Sequence, residues 1–281
     1  MIQILLLPFI ASLILTGIHA YLGIHVIERK VIFVDLALAQ VASLGALVAV
    51  AFGFELHTLG SYLFSLGFAL AGATLFAFTR LKEKLISQEV IIGIVYAVCS
   101  AFSIILLNSL PSEAEHIKEM MVGKLLFVDW KMVLKIAILY SMVGVVHFIF
   151  RKNFLKISLD CSNDKKDKPS NRWWDFLFYA TFGVVVTSSV EIAGVLLVFT
   201  YLIVPAVCAI LLASGIRNRL IAGWIIGVIG SLGGFVASVA WDAPTGAAIV
   251  CVFGGIFLLI ALFRALYLHF SGKGKVHKTK G

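Results

Sequence analysis

The chain has 281 residues, of which 61% are hydrophobic and 14% charged, with a mean hydropathy of +1.04 and a formal net charge of +8. A soluble domain carries about 25% charged residues, and apolar runs of about 20 residues recur along this chain, so the composition indicates a polytopic α-helical membrane protein. The runs do not alternate, which argues against a β-barrel, and the basic residues lie in short clusters between them, which argues against a nucleic-acid-binding face.

Nine candidate spans follow one another, within a range of eight to ten. Their approximate bounds are 2–26, 31–54, 58–79, 89–110, 131–150, 174–190, 192–213, 219–240 and 245–268. The sixth and seventh are barely separated, so this pair could also be one span followed by a re-entrant or broken helix. The first span lacks a preceding basic segment, which favours an uncleaved span over a signal peptide. The predicted fold class is all-α, a polytopic integral membrane helical bundle.

The basic residues predict the orientation of the bundle. All but four of the 23 Lys and Arg residues fall on one set of connections, and the exceptions are Lys118, Lys124, Lys131 and Lys135. The positive-inside rule assigns the richer set to the cytoplasm, which places the N-terminus outside and the C-terminus inside. Residues 151–173 are predicted to be a flexible cytoplasmic connector, and residues 111–130 an acidic outer loop with a short interfacial helix.

Three polar residues within or beside the spans are candidates for lining a pathway. Asp35 could guard the cytoplasmic end, or it could pair with Arg29 or Lys30 at a helix end. Gln40 could line the pathway, although a glutamine among small residues more often bonds a neighbouring helix. Glu191 could line an exit or cap a helix N-terminus. The isolated residues His19, His25 and His147 are expected to be packed, hydrogen-bonded side chains, and no metal site is predicted from these patterns.

Motifs for enzymatic chemistry are missing from the sequence. It contains no G-x-x-x-x-G-K-[ST], no H-E-x-x-H, no G-x-S-x-G and no C-x-x-C pair. If ATP drives this protein, another chain therefore supplies the hydrolysis, and no cofactor is expected.

One region carries a recognisable pattern. The segment GVLLVFTYLIVPAVCAILLASGIRNRLIAG, followed by WDAPTGAAIVCVFGGIFLL, resembles the membrane subunits of ABC importers of the zinc, manganese and iron class. The likeness extends to GKLLFVDW, to QEVIIGIVYA and to ERKVIFVDLALAQVASLGA, so it covers nearly the whole chain in order.

The resemblance implies a homodimeric permease in the plasma (inner) membrane of a prokaryote. Residues 1–270 would form one permease domain and residues 271–281 a basic cytoplasmic tail. The implied partners are an ATP-binding cassette ATPase, an extracytoplasmic metal-binding protein, a second copy and the lipid bilayer. The implied cargo is a divalent metal ion or its chelate, moved by alternating access. The segment that would couple to the ATPase comprises Ser214, Gly215, Ile216, Arg217, Asn218 and Arg219.

The second span departs from the family pattern. Family members often have G-D-x-L-A-H-A there, whereas Leu36 and Gln40 stand at the Asp and His positions of this chain and Asp35 is displaced by one residue. No metal site is therefore carried over, and the ion stays unidentified. Two alternatives to an ABC permease are an ion-coupled secondary transporter acting alone, which would need midplane charges, and a non-transporting membrane scaffold.

Overall fold

The structure is a computed structural model that describes residues 2–56, 58–79, 87–108, 125–162 and 172–270. These residues form ten α-helices and one 3₁₀ turn, at Leu125–Phe127, and they contain no strand. The helices are α1 (Ile2–Glu28), α2 (Val34–Ala51), α3 (Leu59–Phe78), α4 (Gln88–Asn108), α5 (Trp130–Ile149), α6 (Arg151–Ser162), α7 (Arg172–Ala193), α8 (Val195–Leu212), α9 (Ile216–Trp241) and α10 (Thr245–Phe270).

Within the described residues, nine of these helices are long and apolar enough to cross a membrane. Each predicted span coincides with one of them, so the all-α fold class is confirmed. The sixth and seventh spans are two separate helices, α7 and α8, divided at Gly194. The backbone of Gly194 has φ 77°, a conformation that glycine adopts without steric cost. The predicted orientation of the termini stays a prediction, as does the tail at 271–281, which lies outside the described residues.

Residues 151–162 were expected to belong to a flexible connector, and this expectation is wrong. They form α6, a helix too short and too polar to span, which packs against α1, α5 and α7. Its apolar face buries Phe154, whose ring contacts the rings of Trp174 and Phe178. Lysine-rich composition concealed this one-sided apolar stripe, because the polar face dominates a twelve-residue average. Most of the predicted outer loop at 111–130, including its interfacial helix, lies outside the described residues.

The helices pack as two groups joined through α1 and α7. In the first group α2 packs on α3 and α4, and α3 packs on α7. In the second group α1, α8, α9 and α10 contact one another. The windows of α4, α10 and α5 are the least buried of the nine spans, so their apolar faces are available to lipid or to another chain.

Small residues let the second group approach closely. Gly23 of α1 lies directly against the carbonyl group of Leu202 in α8, where a Cβ atom would overlap the oxygen. The glycine-rich face predicted for α9 serves the same purpose, because Gly227 contacts Thr16 and Gly230 contacts the ring of Phe253. Close backbone approach of this kind replaces the hydrophobic driving force, which is weak between helices in lipid.

Replacing Gly23 with alanine should destabilise the protein, whereas the same change at Gly17 of the same helix should not. Overpacking at Gly23 is expected to cost about 1–3 kcal/mol, since backbone rather than a flexible side chain must move. A Cβ atom at Gly17 would meet nothing within 4 Å. Thermal unfolding of both purified variants in detergent measures the difference, and equal midpoints would contradict the α1–α8 contact.

Candidate functional sites at the two ends of the bundle

The predicted coupling segment is half turn and half helix. Helix α8 ends at Leu212, and Ser214 and Gly215 form an exposed turn in which Gly215 has φ 80°. Helix α9 begins at Ile216, so the last four residues of the predicted segment lie in its first turn rather than in a loop. Arg217 and Asn218 are exposed there, whereas Arg219 is partly buried.

Hydrogen bonds hold this segment against the bundle. Asn218 donates to the carbonyl oxygen of Ser214 at 3.3 Å, and Arg219 Nε donates to that of Ala213 at 3.3 Å. Arg219 Nη1 also forms an ion pair with Glu28 Oε1 at 2.5 Å. The two arginines of the segment therefore differ, because Arg219 is engaged within the chain and Arg217 is turned outward.

Glu28 is the last residue of α1, and the next residue, Arg29, enters a buried polar cluster. Arg29 Nη1 lies 2.7 Å from Asp175 Oδ1 in α7, and the two side chains are 1% and 0% exposed. Arg29 Nε donates to Ser158 Oγ of α6 at 3.0 Å, and His25 Nδ1 lies 2.8 Å from the same oxygen. The guanidinium carbon also stands 3.9 Å above the ring of Phe178. We call Glu28 and Arg29 the α1 junction, because this dipeptide ties α1 to α6, α7 and α9.

Sequence reasoning missed this cluster, although a signal was available. Asp175 is the only carboxylate near the start of an otherwise apolar span, directly after two tryptophans. A charge at that depth needs a partner, and Arg29 at the end of the first span was a candidate of opposite sign. Spacing alone could not show that spans one and seven are neighbours.

Asp35 is buried without a partner. It lies in the first turn of α2, is 1% exposed, and neither carboxylate oxygen has a hydrogen-bond partner. The alternative that paired Asp35 with Arg29 or Lys30 is wrong, because Arg29 binds Asp175 and no contact of Asp35 with either residue exists. A carboxylate at a helix N-terminus does interact favourably with the helix dipole. Its role in a pathway stays a prediction.

Gln40 bridges two helices. Its Nε2 atom donates to Ser103 Oγ of α4 at 3.1 Å, and Ser103 donates in turn to the carbonyl oxygen of Cys99 at 2.9 Å. This contact matches the helix-bonding interpretation of a glutamine among small residues. The family positions Leu36 and Gln40 thus lie on the part of α2 that faces α4, and the pathway role of Gln40 stays a prediction.

Glu191 lies in the last turn of α7, at the opposite end of the bundle from Asp175. Gly194 rather than Glu191 occupies the N-cap position of α8, so the capping role is not observed. Glu191 Oε2 lies 3.5 Å from Lys135 Nζ of α5, which stands 4.6 Å from the ring centre of Tyr62 in α3. Glu191 also lines a cavity between α2, α3 and α7, which we call the α2/α3/α7 cavity.

The three histidines are packed as predicted. His19 Nδ1 lies 2.8 Å from the carbonyl oxygen of Leu15, and His25 binds Ser158 as described above. His147 Nε2 lies 2.9 Å from Thr181 Oγ1, and its ring stacks on that of Phe154. In the described ranges no group of three His, Cys, Asp or Glu side chains is arranged to hold a metal ion.

Removing one member of the Arg29–Asp175 pair should destabilise the protein strongly. Asp175→Leu leaves the guanidinium of Arg29 buried without its carboxylate, which is expected to cost about 3–5 kcal/mol. The double variant Arg29→Leu/Asp175→Leu should be more stable than Asp175→Leu alone, because no uncompensated charge remains. Denaturant unfolding followed by the fluorescence of Trp173 and Trp174 measures both. A double variant less stable than either single change would contradict the pairing.

Comparison with known proteins agrees with this architecture. Residues 1–264 match the model of a family described as the ABC 3 transport family. A Haemophilus influenzae protein named "Probable iron transport system membrane protein" is 24% identical over 276 residues, which cover 95% of each chain. The manganese transport system membrane protein MntC of Listeria innocua is 29% identical over 200 residues, covering 70% of this chain and 69% of that protein.

A solved structure shares the fold. A chain of PsaBC from Streptococcus pneumoniae, determined in complex with Fab, superimposes with a TM-score of 0.77 over 96% of this chain and 95% of that chain, at 18% identity. The membrane location predicted from composition is confirmed by these relatives, which are membrane components of bacterial transport systems. Because the family model spans almost the whole chain, this protein belongs to the ABC 3 transport family.

Proposed function

We propose that this chain is the membrane-spanning permease subunit of an ABC importer that carries a divalent metal ion or metal chelate into the cytoplasm. The observation that carries the proposal is the family match over residues 1–264 together with an arrangement of nine spans. The names of the relatives favour iron or manganese as cargo. The secondary transporter and the scaffold have no such support.

The ATPase is expected to bind the turn between α8 and α9. Ser214, Gly215, Arg217 and Asn218 are exposed there, and the internal hydrogen bonds keep the turn rigid. A rigid element transmits a rigid-body displacement that a flexible loop would absorb. The ion pair between Arg219 and Glu28 would pass this displacement to α1, and the buried cluster around Arg29 would pass it on to α6 and α7.

The remaining partners follow from the same assignment. ATP hydrolysis would take place in the separate ATPase subunit, and an extracytoplasmic binding protein would deliver the metal. A second copy of this chain would complete the pathway, and the exposed apolar faces of α4, α5 and α10 are available for that copy or for lipid. Alternating access would then arise because ATP-bound and ATP-free partners stabilise different arrangements of the two copies.

Arg217→Glu should weaken the association with the ATPase at least about tenfold while insertion into the membrane is retained, because a reversed charge at a docking surface repels the same partner. Co-purification of the tagged permease with the ATPase of the same transport system measures the effect. Lys152→Glu, which reverses an exposed basic residue of α6, is the matched control and should retain the ATPase. Equal recovery with Arg217→Glu would contradict the assignment of this turn.

Arg219→Glu should act differently, because it also breaks the internal ion pair with Glu28. The charge-swapped double variant Glu28→Arg/Arg219→Glu should recover part of the ATPase association lost in Arg219→Glu, since the attraction between the two positions is restored. A swap no better than the single variant would show that Arg219 contacts the ATPase directly rather than supporting the turn.

A further inference from the structure

We propose that the α2/α3/α7 cavity is a binding site for a hydrated divalent cation that prefers oxygen ligands, and that Lys135 occupies its mouth until the cation displaces it. The proposal rests on the function proposed above, because it assigns the cargo a stopping place within the permease. The supporting observations are the volume of the cavity, the chemistry of its lining and the contacts of Glu191.

The cavity has the dimensions of a small hydrated ion. It encloses about 60 Å³, and one buried water needs about 10–15 Å³ measured in the same way. An ion together with a few waters therefore fits, whereas a large organic chelate does not. The polar lining consists of one carboxylate and five hydroxyl groups, and these belong to Ser43, Ser61, Tyr62, Ser65, Thr187 and Glu191.

The hydroxyl groups are arranged to accept rather than to donate. Ser43 donates its proton to the carbonyl oxygen of Ala39 at 2.9 Å, and Ser61 donates to that of Thr58 at 3.1 Å. Each oxygen keeps lone pairs once its proton is committed to the backbone. Thr187 Oγ1 is buried without a hydrogen-bond partner, and the residue is 7% exposed. Oxygens with available lone pairs, together with a carboxylate, suit a cation and disfavour an anion.

A cation already lies beside the carboxylate. Lys135 Nζ is 3.5 Å from Glu191 Oε2 and 4.6 Å from the ring centre of Tyr62, and both of these residues line the cavity. The Lys135 side chain is 50% exposed, so it can move away without opening the bundle. A divalent ion would compete for Glu191 with twice the charge of the ammonium group and release Lys135 to solvent.

The ligand chemistry indicates which ions the site accepts. The described lining residues supply carboxylate and hydroxyl oxygen and no sulfur or imidazole. Carboxylate and water ligands suit Mn²⁺ and similar ions, whereas thiolate and imidazole ligands favour Zn²⁺. A site with one carboxylate binds weakly, and weak binding suits a transport path, since the ion must leave again.

This cavity is distinct from the second-span position highlighted by the family resemblance. Gln40 is turned toward Ser103 of α4. The α2 residues that line the cavity are Ala39, Ala42, Ser43 and Ala46, on the side of the helix that meets α3 and α7. The two sites would therefore be independent, and the loss of the family Asp and His at Leu36 and Gln40 does not remove the α2/α3/α7 site.

Mn²⁺ binding to the permease–ATPase complex tests the site. The complex would be held without nucleotide in nanodiscs of phosphatidylcholine, and free Mn²⁺ would be quantified by its electron paramagnetic resonance signal. Glu191→Gln should weaken binding at least about tenfold, the range seen when groups supporting a metal are lost, and Thr187→Val should weaken it less. Lys135→Met should tighten binding, because the competing ammonium group is removed, and misfolding could not produce such a gain.

Matched controls separate the site from general effects on the protein. Glu55→Gln removes an exposed carboxylate between α2 and α3, and Thr74→Val removes a hydroxyl that bonds the carbonyl oxygen of Leu70; both should bind Mn²⁺ as the unmodified chain does. The proposal is overturned if the unmodified complex binds no Mn²⁺, if Glu191→Gln binds it equally, or if Lys135→Met binds it more weakly.

Uptake measurements distinguish this proposal from the function on which it rests. If cells that carry the complete system take up manganese, iron or zinc while Mn²⁺ binding does not depend on Glu191, the function stands and the site fails. If Mn²⁺ binding depends on Glu191 but none of these metals is taken up, the site stands and the proposed function fails.

Discussion

The buried ion pair between Arg29 and Asp175 is the contact on which the arrangement of this bundle depends. It joins the end of α1 to the start of α7, and the two side chains are almost completely removed from solvent. Two charges in such a place are stable only together, so the pair constrains which helices can be neighbours. Ser158 and Phe178 complete the surroundings of the guanidinium, which brings α6 into the same junction.

The two ends of the bundle use charge in different ways. At the α1 junction the charges are paired and enclosed, and they make a rigid connection from the turn between α8 and α9 to α6 and α7. At the Glu191 end the contact with Lys135 is longer and half exposed. Exposed ion pairs contribute little to stability, which leaves such a pair free to exchange partners. A transporter needs both properties, one to transmit motion and one to release its cargo.

The fold could be predicted from the sequence to a large extent, and the sites only in part. Long apolar runs specify spans through their length alone, which is why all nine predicted spans coincide with helices. Helix α6 escaped notice because its signal is the periodic placement of residues such as Phe154 and Ser158 rather than average hydrophobicity. The partner of Arg29 and the unpartnered state of Asp35 depend on which helices touch, and spacing along the chain carries no such information.

The separation in sequence between Arg29 and its partners has a consequence for biosynthesis. Ser158 follows Arg29 by 129 residues and Asp175 by 146. The first span therefore enters the membrane with an arginine at its end and polar histidines within it, long before the groups that satisfy them have been translated. Until α7 is inserted, these side chains must stay near headgroups, water or the insertion machinery. The native position of α1 is thus among the last features of the protein to form, although α1 is the first helix to be made.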